Sequence, residues 1–115
     1  MILYFSATGN CKYVAEKIAE AIGDTAASIE KTGTEISLAE NEMFGFVTPT
    51  YSWELPIIVR EYLESLNLTG CKNTYSFILA TYGTTPGAAG ADAVHILRKK
   101  RIAVSAKYSI QMPDA

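Results

Sequence analysis

A change of hydrophobic period at Asn10 constrains this chain more than any other feature. Ile2-Leu3-Tyr4-Phe5 is a continuous apolar run, the pattern of a strand buried on both faces of a parallel sheet. Ser6-Ala7-Thr8-Gly9-Asn10 separates it from a segment with another repeat. There Val14, Ile18 and Ile22 fall four apart, as do Ala15 and Ala19, with Lys12, Glu16, Lys17 and Glu20 between them. That is an amphipathic helix, and Gly23 is placed to close it as a C′ residue.

The same alternation continues. Thr25 to Ile29 reads as a weak second strand, Met43 to Val47 as a third that Pro49 stops, Thr74 to Ala80 as a fourth, and Ala103 to Gln111 as a fifth. Leu55 to Leu66 reads as a helix, with Pro56 in its first turn and Val59, Tyr62, Leu63 and Leu66 on one face. Ala91 to Arg101 reads as another, with Ala93, Ile96 and Leu97 inward. Lys31 to Glu42 is polar and reads as a loop with one turn at most. Alternating strands and helices predict an α/β fold with a doubly wound, five-stranded parallel sheet in the order 2-1-3-4-5. At 115 residues and 49% hydrophobic, the chain suits one domain, 1–115.

Composition excludes several functions. A net charge of −2 gives no electrostatic case for nucleic acid or an anionic membrane. No apolar run approaches the ~20 residues that span a bilayer, and Met1 leads straight into the first strand without a signal-peptide pattern. A cytoplasmic setting is therefore expected. Cys11 and Cys71 are too few for a metal site or disulfide framework. They are expected at opposite poles of the sheet, out of bonding reach. His95 and the run Arg98-Lys99-Lys100-Arg101 read as a solvated helix end whose cations complement the dipole.

In open parallel sheets ligands sit at the carboxyl ends of the strands. This directs attention to three loops: Ser6–Cys11, Thr48–Glu54 and Thr81–Gly90. The first offers backbone N–H groups, a helix N-terminus, the neutral donors Ser6, Thr8 and Asn10, and Gly9 for close approach. It has no lysine or arginine, so it would hold a phosphate by dipoles and hydroxyls. It lacks the Gly-Lys of a Walker loop and the spaced glycines of a dinucleotide fingerprint. The same Ser, Thr and Asn could equally cap the helix. The second loop carries Tyr51 and Trp53, aromatic faces for a flat ring. The third carries Tyr82, with Gly83 and Gly87 freeing the backbone.

These residues carry a resemblance. Ser6-Ala7-Thr8-Gly9-Asn10 resembles the phosphate loop of flavodoxin-like proteins, with Cys11 where a hydroxyl residue is usual. Pro49-Thr50-Tyr51-Ser52-Trp53-Glu54-Leu55-Pro56 resembles their second loop, and Thr81-Tyr82-Gly83-Thr84-Thr85-Pro86-Gly87 their third. The pattern is most similar to the flavodoxin domains of the flavodoxin–ferredoxin fusion family.

The resemblance implies FMN as cofactor, bound by Ser6, Ala7, Thr8, Gly9, Asn10, Cys11, Pro49, Thr50, Tyr51, Ser52, Trp53, Thr81, Tyr82, Gly83 and Gly87. It implies a low-potential electron carrier, because no basic residue faces the phosphate or the reduced ring. No residue stands out as a proton donor or as a catalytic group. Two alternatives remain open: an FMN-dependent quinone or NAD(P)H reductase, and a flavodoxin-shaped interaction domain without flavin. The expected partner is a redox protein, in the fusion family an iron–sulfur, ferredoxin-type domain. The helix such folds carry after strand five is missing from the sequence. A bare sheet face is therefore expected, available to a homodimer, a partner or a further domain. The chain itself is expected to be an N-terminal fragment or a shortened relative.

Overall fold

The computed structural model describes residues 1–6, 8–70, 74–85 and 87–112. The elements run β1 (Ile2–Tyr4), α1 (Asn10–Ile22), β2 (Ala26–Ser28), β3 (Glu35–Ser37), β4 (Phe44–Pro49), α2 (Ile57–Ser65), β5 (Asn67–Thr69), β6 (Ser76–Tyr82), α3 (Ala89–Lys99) and β7 (Ala106–Gln111). Five strands form one parallel sheet in the order β2-β1-β4-β6-β7. This is the expected order, with β4, β6 and β7 as the third, fourth and fifth main strands.

Side-chain alternation along the central strands divides the core. On one face Leu3, Phe46, Ile78 and Ala80 pack with Val59 and Leu63 of α2 and Ala93 and Leu97 of α3. On the other, Ile2, Val47, Phe77 and Leu79 pack with Val14, Ala15 and Ala19 of α1. Burying a side chain of this size contributes about 1.5–3 kcal/mol, so the two layers dominate stability. The strands are apolar on both faces because both faces carry helices. Gly23 ends α1 in the left-handed region at φ 69°, its N–H directed at the carbonyls of Ala19 and Glu20, as its position in the sequence predicted.

Several boundaries differ from the sequence expectation. Residues 31–42 contain β3, which pairs with β5 in a separate parallel ladder, Ile36 opposite Leu68. Ile36 and Leu38 are buried while Glu35 and Ser37 are exposed, a period-two signal too short to stand out. The pairing is long-range and is reinforced by Asn67 Nδ2 donating to Glu35 Oε2 at 2.8 Å and by the Ser37–Thr69 hydroxyl pair at 3.1 Å. Pro49 is the last residue of β4, opposite Thr81, and does not stop the strand short of itself. At a strand end the absent N–H costs the ladder little. Pro56 precedes α2 in an extended conformation (φ −56°, ψ 143°) instead of entering its first turn. β6 runs on to Tyr82, and α3 begins at Ala89.

The face that carries α1 is not fully covered. Over β6 and β7 lies a shallow apolar cleft of about 260 Å³ walled by Ile18, Ile22, Phe77, Leu79 and Tyr108, among others. Tyr75 and Tyr108 flank Phe77, each ring centroid 6.2 Å from it. Their hydroxyls meet at 2.8 Å, and both rings are exposed. Part of this sheet face is therefore open to solvent among the described residues.

Candidate functional site

The parallel register brings the carboxyl ends of β1, β4 and β6 to one pole, and contacts between the three loops fix their relation there. Phe5, just after β1, meets Tyr51 of the second loop edge-on, ring centroids 6.4 Å apart. Cys11 Sγ lies 3.3 Å from Thr81 Oγ1 at the root of the third loop. The Ala88 N–H donates to the Trp53 carbonyl at 2.7 Å, stitching the third loop to the second.

In the first loop, Gly9 occupies the position before α1 with φ 95°, which a residue without Cβ adopts freely. Its N–H donates to Ser6 Oγ at 2.9 Å. The N-cap position is a glycine and supplies no side chain of its own, while Ser6 Oγ takes up the Gly9 N–H just ahead of the helix. Ser6 thus has a capping role as well as a place in the loop. The positive end of the helix dipole favours an anion at this pole. Thr8 and Gly9 are exposed, Ser6 and Asn10 half-buried. Ala7 lies outside the described residues.

Cys11 occupies another environment than its place in the loop suggests. Its side chain is 2% exposed and points into the layer between α1 and the sheet. Burial pushes the thiol up to about 11, the hydrogen bond with Thr81 opposing this. The thiol thus belongs to the core, and only the backbone of Cys11 remains for the loop.

The second loop holds the strongest local strain. Tyr51 and Glu54 exchange both backbone hydrogen bonds, at 2.9 and 2.8 Å, closing a two-residue turn. Its central residues Ser52 and Trp53 have φ of 48° and 67°. Turns with two positive φ values favour Asn-Gly; a side-chain-bearing residue there costs roughly 1–2 kcal/mol. The turn holds the Trp53 ring outward, 67% exposed. Gly87, at φ 59°, packs against this turn so closely that a Cβ would lie 2.4 Å from the Trp53 carbonyl oxygen. Burial raises the Tyr51 phenol, and the neighbouring Cys11 adds to the effect.

A polar cleft of about 180 Å³ lies between the second and third loops, lined by Thr50, Ser52, Trp53, Gly83, Thr84 and Thr85. Thr50 Oγ1 is buried and has no hydrogen-bond partner among the described residues. A buried hydroxyl without a partner costs about 1–3 kcal/mol, so its presence here asks for a ligand atom. Tyr82, expected at the ring, ends β6 half-buried and does not line this cleft. Thr81 is fully buried and serves Cys11, and Pro49 is buried at the end of β4.

Thr84 and Thr85 were not singled out by the sequence, although two adjacent hydroxyls at a strand end were a usable signal. Gln111, which donates to the Gly83 carbonyl at 3.0 Å and ties the third loop to β7, had none. Pro86 and Cys71 lie outside the described residues. Among those described, no His, Cys, Asp and Glu group could hold a metal ion, and no helix is long and apolar enough to cross a membrane.

The residues present suit FMN. A helix N-terminus opened by Gly9 suits its phosphate, an outward indole its flat ring, and an orphaned hydroxyl in a polar cleft the ring's polar atoms or the chain between.

A family model described as a flavodoxin domain matches residues 1–107. No curated protein matches by sequence. Among solved structures, the chain is similar to a putative flavoprotein from Bacteroides uniformis ATCC 8492. The two are 20% identical with a TM-score of 0.66 over 100% of this chain and 90% of that one. It is similar to the Flv1 flavodiiron core from Synechocystis sp. PCC6803, at 20% identity and a TM-score of 0.67 over 97% of this chain and 30% of that one. It is also similar to two-electron reduced Megasphaera elsdenii flavodoxin, at 20% identity and a TM-score of 0.62 over 98% and 87% of the two chains. At these identities the structural likeness speaks to the fold.

Proposed function

The chain belongs to the flavodoxin domain family, and from that premise we propose that it binds FMN at the pole formed by its three loops and serves as an electron-transfer domain. The observation that carries the reading is the unpartnered Thr50 hydroxyl beside the outward-held Trp53. A flavodoxin and a flavoprotein among the similar structures support a flavin as the cofactor.

When bound, FMN supplies the redox chemistry. The chain's residues supply the rest. Ser6, Thr8, Gly9 and Asn10, with the N-terminus of α1, hold the phosphate by hydroxyls and N–H dipoles. No lysine or arginine lies in the three loops, so the site does not offset added negative charge. This disfavours reduction and keeps the potential low. Trp53 offers a stacking face, and Thr50, Thr84 and Thr85 offer hydroxyls to polar atoms. Gly87 and Ala88 fix the Trp53 turn through its carbonyl. No lysine, arginine or histidine lies in the three loops to orient a nicotinamide nucleotide, which favours electron transfer over substrate turnover.

The partner in this reading is another redox protein, an iron–sulfur domain among the candidates. The bare cleft over β6 and β7 is where a second copy or a further domain would pack. The test loads the protein with FMN, reduces it with dithionite without oxygen, and mixes it with a one-electron acceptor such as cytochrome c. Rapid stoichiometric reoxidation, with no steady-state oxidation of NADH or NADPH and no quinone reduction from them, is expected. Sustained NAD(P)H-dependent quinone turnover would replace the carrier by a reductase.

A further inference from the structure

The outer face of α3 gathers charge that the sequence showed only as a helix end. Two hollows, of about 480 and 280 Å³, lie side by side there and share His95. The first is lined by Arg60 of α2 with Lys99 and Lys100; the second by Arg98 and by Lys107 of β7. Five of the chain's ten Lys and Arg residues thus converge from three elements.

Glu64 is the carboxylate among the lining residues. Asp92 bonds Arg60 at 3.4 Å. The face therefore carries a surplus of three positive charges on a chain of net charge −2, leaving −5 for the remainder.

Two of the five cations have structural work. Arg60 is held by Asp92, and Lys100 Nζ donates to the Glu64 carbonyl at 2.9 Å, satisfying the last turn of α2. Arg98, Lys99 and Lys107 carry no ion pair among the described residues. Lys107 is nonetheless positioned. Its stem lies across Gly90 at the start of α3, where a Cβ would sit 3.2 Å from its Cδ. Lys107 thus joins His95 and Arg98 in the wall of the second hollow.

We infer that this face is a docking surface for an acidic protein surface. A long polyanion such as nucleic acid would overrun it, because α3 spans only ~16 Å and the rest of the molecule is acidic. No aromatic side chain interleaves the cations for base stacking. An anionic membrane would want apolar anchors among the cations, and none of the exposed large apolar side chains lines either hollow. A compact acidic patch on a folded partner matches both the extent of the face and its sign, and the acidic remainder of this chain would steer it into register. Neither hollow shares a lining residue with the cleft between the second and third loops, so the inference does not rest on the flavin reading.

The test measures binding of a labelled oligoglutamate peptide by anisotropy, with oligothymidylate and phosphatidylserine vesicles as competing probes. Arg98→Glu with Lys107→Glu is compared with Lys17→Glu and Lys31→Glu, exposed cations elsewhere. Circular dichroism verifies folding, and Arg98→Gln with Lys107→Gln repeats the comparison without charge reversal. The expected result is salt-sensitive peptide binding that falls about tenfold or more in the Arg98 and Lys107 variants only, with the same affinity whether or not FMN is added. Absence of peptide binding at low salt, equal loss in the Lys17 and Lys31 variants, or tighter binding of oligothymidylate or vesicles would each overturn it.

Discussion

Trp53 and Thr50 sit three residues apart and show two sides of one local compromise. Trp53 is held outward by a turn that disfavours it, and Thr50 buries a hydroxyl that none of the described residues satisfies. Strain and unsatisfied polarity collected at one pole are expected where a ligand completes the structure. Thr50→Val separates folding from binding. Without ligand it removes an unpaired buried hydroxyl and should stabilise the protein by about 1 kcal/mol. With FMN it should weaken binding about tenfold. Thermal unfolding with and without FMN reads both signs, and a loss of stability in the free protein would show that the hydroxyl is satisfied.

Cys11 makes the second residue-scale prediction. Its thiol is ordinary at 9.0 when unfolded and rises to about 11 in the fold through burial. Between those values the unfolded chain releases a proton that the native chain keeps. The stability present below pH 9 is therefore lost as pH rises toward 11. Urea midpoints should fall more steeply across this range in the parent than in Cys11→Ala. Parallel slopes would mean the thiol titrates normally in the fold. The sequence placed Cys11 in the first loop, whereas it is the second residue of α1, and was silent on which way the side chain turned. That depended on Thr81, seventy residues along the chain.

At the scale of elements, the strands and helices with strong periodicity were legible. β1, α1, β4 and β6 each carry a short continuous apolar run or a four-residue repeat, with glycine, proline or polar loop residues at their ends to arbitrate between strand and helix. β3 was not legible. Three residues with one fully inward side chain, Ile36, acquire meaning only from Leu68 opposite. The ends of β4, β6 and α3 were shifted for a similar reason: partner strands, and not local propensity, decide where a ladder stops.

Gly45 in β4 was also invisible as a constraint. A Cβ there would lie 2.3 Å from Phe77 Cζ and 2.9 Å from Ile2 Cδ1, because both side chains fill the space over its backbone. Gly45→Ala should cost about 1–3 kcal/mol by overpacking. Chemical denaturation measures it, and a change below ~0.5 kcal/mol would mean that the Phe77 ring swings aside freely into the neighbouring cleft.

For the whole molecule, the sheet order and the pole where ligands gather followed from alternating elements and from the rule that parallel strands present loops at their carboxyl ends. The charge layout did not follow, since a net charge of −2 conceals a basic face and an acidic remainder. An apolar cleft over β6 and β7 is walled by Tyr75, Phe77 and Tyr108. Three faces thus have different characters: a polar, strained ligand pole, an apolar cleft over β6 and β7, and a basic flank along α3. Of these the pole defines the molecule's chemistry.

Its most direct test is an FMN titration of the purified protein followed by flavin fluorescence and visible absorbance, with Trp53→Ala alongside. The expected result is saturable quenching with a structured, red-shifted absorbance band, and an affinity that falls about tenfold or more when Trp53 is truncated. Unchanged fluorescence and absorbance at FMN concentrations of tens of micromolar would contradict a flavin-binding pole and leave a flavodoxin-shaped interaction domain.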